Sequence, residues 1–134
     1  MLGNMLQALP RPTRLPVARA QASYYVLTGL WPFVSPRTFQ SVTGPKRDFW
    51  LAQTAGALIA VIGVAVGSAA GKRRLVDTPT VRILALGTAS SLAAIDVVFV
   101  RRGRISSIYL VDAAAEIAIL AAWLTSRSPP GPKT

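Results

Sequence analysis

Apolar residues in this chain gather in long runs separated by short, arginine-rich links, and no stretch alternates with the period of a half-buried strand. The longest run, Phe49–Ala70, has 22 consecutive uncharged residues, which at 1.5 Å per residue gives a helix of about 33 Å, enough to cross a bilayer. Asp48 stands where an N-cap would, and Gly71-Lys72-Arg73-Arg74 closes the run. A further run over 80–100 is opened by Asp77-Thr78-Pro79, with Asp77 or Thr78 as the cap and proline in the first turn. The last, over 106–125, opens at Ser106 or Ser107. The first, over 17–34, is weaker. It includes Arg19, whose stem can snorkel, and the belt residues Tyr24, Tyr25 and Trp31, and Pro32 marks its end. Ser35-Pro36 then starts one or two helical turns before the Gly44-Pro45 break.

This pattern predicts an all-α fold: a small transmembrane helical bundle of four spans over 17–126, between a flexible basic leader (1–16) and a flexible tail (127–134). The alternative is three spans plus an interfacial N-terminal helix. Gly56, Ala60, Gly63 and Gly67 repeat every three or four residues and form a small-residue stripe that lets another helix approach closely. The stripe points to helix packing and only weakly to a dimer.

Composition sharpens the class. The chain has 15 Lys+Arg against 5 Asp+Glu, a net charge of +10, with 51% hydrophobic residues. The bases fall in the links between apolar runs rather than along one face, which is a membrane pattern and argues against nucleic acid. With the N-terminus inside, inner segments carry Arg11, Arg14, Arg19, Lys72, Arg73, Arg74, Arg82, Arg127 and Lys133, while outer ones carry Arg37, Lys46, Arg47, Arg101, Arg102 and Arg104. The bias is small and does not separate the two topologies. An A-x-A pattern at Ala20-Gln21-Ala22 lacks the apolar core of a signal peptide before it. Cysteine and histidine are both absent, which excludes disulfides, thiolate or imidazole metal sites and histidine-activated nucleophiles. No cofactor is expected, and no metal.

What chemistry remains is carboxylate. Asp112 and Glu116 lie one turn apart in the last run, on one helix face, with Tyr109 before them and Trp123 after them. An Asp at a span centre costs about 2.5–3.5 kcal/mol, whereas each large aliphatic residue returns about 0.3–0.6. The apolar residues of this run do not offset two central acids, so it needs a partner helix. Asp96 in the preceding span lies about as far before the Arg101–Arg104 turn as Asp112 lies after it, at similar depth. Asp96, Tyr109, Asp112 and Glu116 therefore form the candidate intramembrane polar site. On a structural reading each acid is paired with Arg101, Arg102, Arg104 or Tyr109, or kept protonated, and a four-span arrangement also turns Tyr24, Tyr25 and Thr28 toward the site. Asp48 reads as a cap, and Trp31, Trp50 and Trp123 as belt anchors. Lys46 reads as a turn residue that can also meet lipid headgroups.

Thr28-Gly29-Leu30-Trp31-Pro32, Thr43-Gly44-Pro45-Lys46 with Asp48 and Trp50, and Tyr109-Leu110 with Asp112 and Glu116 resemble a pattern in small, uncharacterised bacterial integral membrane proteins. In size and span count alone the chain is also similar to DoxX-like four-helix membrane proteins. The resemblance implies a multi-pass bundle of the bacterial inner membrane and brings no activity or ligand with it.

Three function classes follow. The first is a structural or accessory bundle that packs against itself, as a homo-oligomer, or against a membrane-protein partner, with membrane lipid around it. The alternative is a small proton-coupled transporter or channel subunit in which the in-membrane carboxylates form a proton or cation site facing a cavity. A membrane enzyme acting on a lipid or quinone comes last, since no nucleophile, metal set or phosphate loop accompanies the acids.

Overall fold

A computed structural model describes residues 13–128. The described residues form six helices: α1 (Arg14–Val34), α2 (Pro36–Thr43), α3 (Phe49–Ala70), α4 (Arg73–Val76), α5 (Pro79–Arg101) and α6 (Tyr109–Thr125). No β-ladder occurs among the described residues, only an isolated bridge between Thr13 and Arg127. The fold is thus all-helical. The leader and tail fall outside the described residues except at their inner edges, where α1 already begins at Arg14.

Local signals set most of the ends. Ser35 caps α2 by accepting from the Thr38 N–H at 3.4 Å, with Pro36 next to it, and Gly44 stops the helix at φ 94°. Thr78 caps α5. Its far end is a Schellman turn, in which Gly103 at φ 67° donates to the Val100 carbonyl and Arg104 to that of Phe99. Asp48 occupies the N-cap position of α3 without a side-chain capping bond. Three boundaries differ from the sequence reading. Pro32 does not end α1, which continues to Val34, because a proline removes only one hydrogen bond and the turn beyond it is closed by Ser35 donating to Trp31. Asp77 is not a cap, since its carboxylate pairs with Arg14. Residues 106–108 wind as tighter i→i−3 turns before α6, which leaves that helix 17 residues long.

The four long helices assemble as two antiparallel pairs, α1 with α3 and α5 with α6, and most tertiary contacts lie within the pairs. Small residues bring α1 and α3 together. A Cβ on Gly29 would run into the Gly56 carbonyl, and one on Gly63 would lie 2.9 Å from the Tyr25 Cβ. In the other pair, Ala85, Ala89, Ala93 and Asp96 are the buried residues of α5, and Ala113, Glu116 and Trp123 those of α6. Where the pairs meet near the start of α1, Val17, Ala18, Val66, Ala70, Val76, Ala85 and Trp123 form one apolar core. The same end is fastened by polar bonds. The Arg14 guanidinium pairs with Asp77 and reaches Ser128 at 3.2 Å, and its backbone N–H donates to Arg127 at 3.0 Å.

Large apolar side chains face outward on all four long helices, among them Leu27, Leu58, Val61, Val64, Ile83, Val111, Ile117 and Leu124. Two helices, α3 and α5, are long and apolar enough to cross a membrane. The expected outer spans are less decisive: α6 is short, and the apolar run of α1 is interrupted by Arg19, Gln21 and the tyrosine pair.

Candidate functional site

Residues Gln21, Tyr25 and Thr28 recur along α1 at helical spacing, with Tyr24 beside them, and this polar stripe faces the other pair. Tyr25, fully buried, donates its hydroxyl to Glu116 Oε2 at 2.7 Å. Tyr24 donates to Asp112 Oδ1. One turn toward the start of α1, Gln21 bridges both helices of the other pair: its amide donates to the Ala85 carbonyl at 2.9 Å and accepts from Trp123 Nε1 at 2.7 Å. Asp96 comes in from α5 and interacts with Asp112. The three in-span acids named from sequence are therefore brought together, at the seam between the pairs and against α1.

Their partners are not the arginines. Arg101, Arg102 and Arg104 are all exposed, and Arg102 lies over the Phe99 ring at 5.8 Å. The short turn carries these bases past the end of the helices, out of reach of acids more than a turn inside. Two carboxyl oxygens are left over: Asp96 Oδ2 and Glu116 Oε1 are buried without a hydrogen-bond partner. Such a group is costly in a low-dielectric interior until a proton or a cation meets it.

Beside the acids lies a cavity of about 330 Å³. Its floor is Tyr24, Asp112 and Glu116, and its walls come from Thr28, Trp31, Gly56, Ile59, Leu92 and Tyr109. Helix α2 contributes Phe39, Val42 and Thr43. Trp31 is held by donating to the Thr38 hydroxyl at 2.8 Å and by an edge contact with Phe39, 5.5 Å between centroids. At one end the Lys46 ammonium lies 5.3 Å from the Tyr109 ring and 5.7 Å from that of Phe39. Tyr109 thus lines the cavity and meets Lys46 rather than a carboxyl. Among the described residues no group of three acids is arranged to hold a metal ion.

The small-residue stripe is occupied within the chain: Gly56, Gly63 and Gly67 face Gly29, Tyr25 and Ala22 of α1, and Ala60 is buried in the same contact. Trp123 is no belt anchor. It is 1% exposed and bonded to Gln21, whereas Trp50 is 62% exposed. Sequence reasoning gave Gln21, Gly29 and Arg14 no part in joining the helices. The first had a signal, since it lies four residues before Tyr25 on the stripe that carries the tyrosines. The Arg14–Asp77 pair joins residues 63 positions apart and left no local trace. No protein-family model, curated protein or solved structure matches the chain.

Proposed function

We propose that the chain is a multi-pass protein of the bacterial inner membrane, a four-span bundle whose seam carboxyls form the proton or cation site of a small transporter or channel subunit. The outward-facing aliphatic residues on α1 and α6 as well as on α3 and α5 support four spans. Antiparallel neighbours agree with an up-and-down path through a bilayer. One observation carries the functional part: Glu116 lines the cavity, is 1% exposed, and keeps its Oε1 buried without a hydrogen-bond partner. A purely structural acid is expected to have its hydrogen bonds completed. The test is ion flux in proteoliposomes. Wild-type protein should show pH-dependent flux, and Glu116→Gln should lose it while keeping its helical circular dichroism. Equal flux in the variant, or none in wild type, defeats the reading.

A second reading, the structural or accessory bundle, is favoured by the hydrogen bonds that Gln21, Tyr24 and Tyr25 make across the seam. On that reading Asp112→Asn and Glu116→Gln lower stability or assembly and leave flux unchanged.

A further inference from the structure

We infer that the cavity between the helix pairs takes a lipophilic organic monocation, an apolar or aromatic body bearing one delocalised positive charge, and receives it sideways from the surrounding acyl chains. The inference rests on the cation-site reading above and names its ligand class.

The cavity, about 330 Å³, falls at the lower end of small-molecule sites, which run from about 300 to 1,000 Å³. Its lining is mostly apolar and aromatic, with two carboxyls at one place on the floor and no basic side chain in the wall. An inorganic cation needs several converging oxygens in exchange for its water, and among the described residues no group of three acids is arranged to hold one. An anion would meet Asp112 and Glu116, with Asp96 behind them. A neutral apolar chain would cover a carboxyl oxygen without supplying a donor. A soft organic cation satisfies both surfaces: its body replaces acyl chains against Ile59 and Leu92, and its charge meets Asp112 and the faces of Trp31 and Tyr109.

The direction of access follows from exposure. Val42 and Val111 line the cavity and are themselves 46% and 66% exposed, so the cleft opens outward between α2 and α6 past two apolar side chains. Titratable and charged groups come to this place from several elements: Tyr24 and Tyr25 from α1, Asp96 from α5, Tyr109, Asp112 and Glu116 from α6, and Lys46 from the loop before α3. The lining that α2 and α3 supply does not ionise. Lys46 already lies over the Tyr109 ring, 5.3 Å from its centroid, so an arriving cation and Lys46 repel each other.

Tetraphenylphosphonium and tetraphenylborate, nearly identical in shape and opposite in charge, test the inference by equilibrium dialysis against the full chain in dodecylmaltoside, with protein-free micelles as the blank. Saturable binding of the phosphonium and none of the borate is expected. Asp112→Asn should weaken it by roughly tenfold or more, and Lys46→Gln should strengthen it about two- to threefold. Leu92→Phe narrows the cavity without touching a carboxyl and should also reduce binding, which keeps the test decisive if Asp112→Asn unfolds. Equal uptake of the two ions, or phosphonium binding indifferent to both Asp112→Asn and Leu92→Phe, overturns the inference. Flux through proteoliposomes made from the same protein separates the two failures: Glu116-dependent proton flux without phosphonium binding removes the organic cation alone, whereas neither flux nor binding removes the cation site with it.

Discussion

Removing the hydroxyl of Tyr25 should destabilise the bundle more than removing that of Tyr24, although both tyrosines donate to a carboxyl of α6. The difference comes from burial. Tyr25 is 0% exposed and Glu116 1%, and Glu116 Oε1 already lacks a partner, so Tyr25→Phe leaves both carboxyl oxygens buried without a donor. A buried polar group that loses its partner costs about 1–3 kcal/mol, and hydrogen bonds between membrane helices average about 0.6 kcal/mol and reach about 1.7. The loss should therefore fall at about 1–2 kcal/mol. Tyr24 and Asp112, by contrast, are both half-buried. There a water can replace the lost donor, and Tyr24→Phe should cost less than about 1 kcal/mol. The reasoning also fixes the sign of a double variant. Replacing both members of a buried pair by apolar groups is close to neutral, so Tyr25→Phe with Glu116→Leu should be more stable than Tyr25→Phe alone. Unfolding by dodecyl sulfate titrated into dodecylmaltoside micelles, followed by circular dichroism and tryptophan fluorescence, measures all four proteins. A Tyr25→Phe loss no larger than that of Tyr24→Phe, or a double variant below the single one, refutes the argument.

Other consequences are simpler to check. Gly29→Ala should lower stability by about 1–3 kcal/mol, because its Cβ meets backbone of α3 rather than a movable side chain. Gly87→Ala, with nothing within 4 Å of the added Cβ, should be neutral or slightly stabilising, and melting of both variants in detergent tests the contrast. Gln21→Leu should cost about 1–3 kcal/mol by stranding the Trp123 N–H and should shift the fluorescence of that buried indole. Arg14→Ala should cost about 1–2 kcal/mol, since the paired side chains are 16% and 29% exposed, and added salt should lessen the difference from wild type. Finally, the chain should stay with the membrane pellet through alkaline carbonate washing. Release to the supernatant would contradict a bundle with Leu58, Val61 and Val64 turned outward.

Apolar runs with local punctuation were legible in the sequence. The ends of α2, α3 and α5 follow from Ser35-Pro36, Gly71 and Thr78-Pro79, because caps and prolines act within a turn. The cost of unpaired acids in an apolar helix also singled out Asp96, Asp112 and Glu116, and the structure brings them to one seam. Choice of partner was less legible. Proximity in sequence favoured the arginines of the α5–α6 turn, while the carboxyls bond to tyrosines 88 and 91 residues away. Trp123 illustrates the same limit. An indole near a helix end suits a belt or a core equally well, and only the position of Gln21 across the seam decides between them. The pairing of α1 with α3 needed Gly29 as the counterpart of Gly56, and one glycine among apolar residues carries no mark of the helix it will touch.

The fastening at Arg14 gives the molecule a mechanical asymmetry. Arg14, Asp77, Ser128 and the apolar core pin the two helix pairs at one end, while the cavity keeps them apart at the other. The arrangement is that of a peg with its spring at Arg14. Tilting one pair against the other by about 5° about that pivot moves the Tyr24–Asp112 contact, about 15 Å away, by about 1.3 Å, and Trp31, about 25 Å away, by about 2 Å. The first displacement is enough to break a hydrogen bond. The tyrosine–carboxyl contacts thus lie on the side of the pivot where a small tilt already separates the partners.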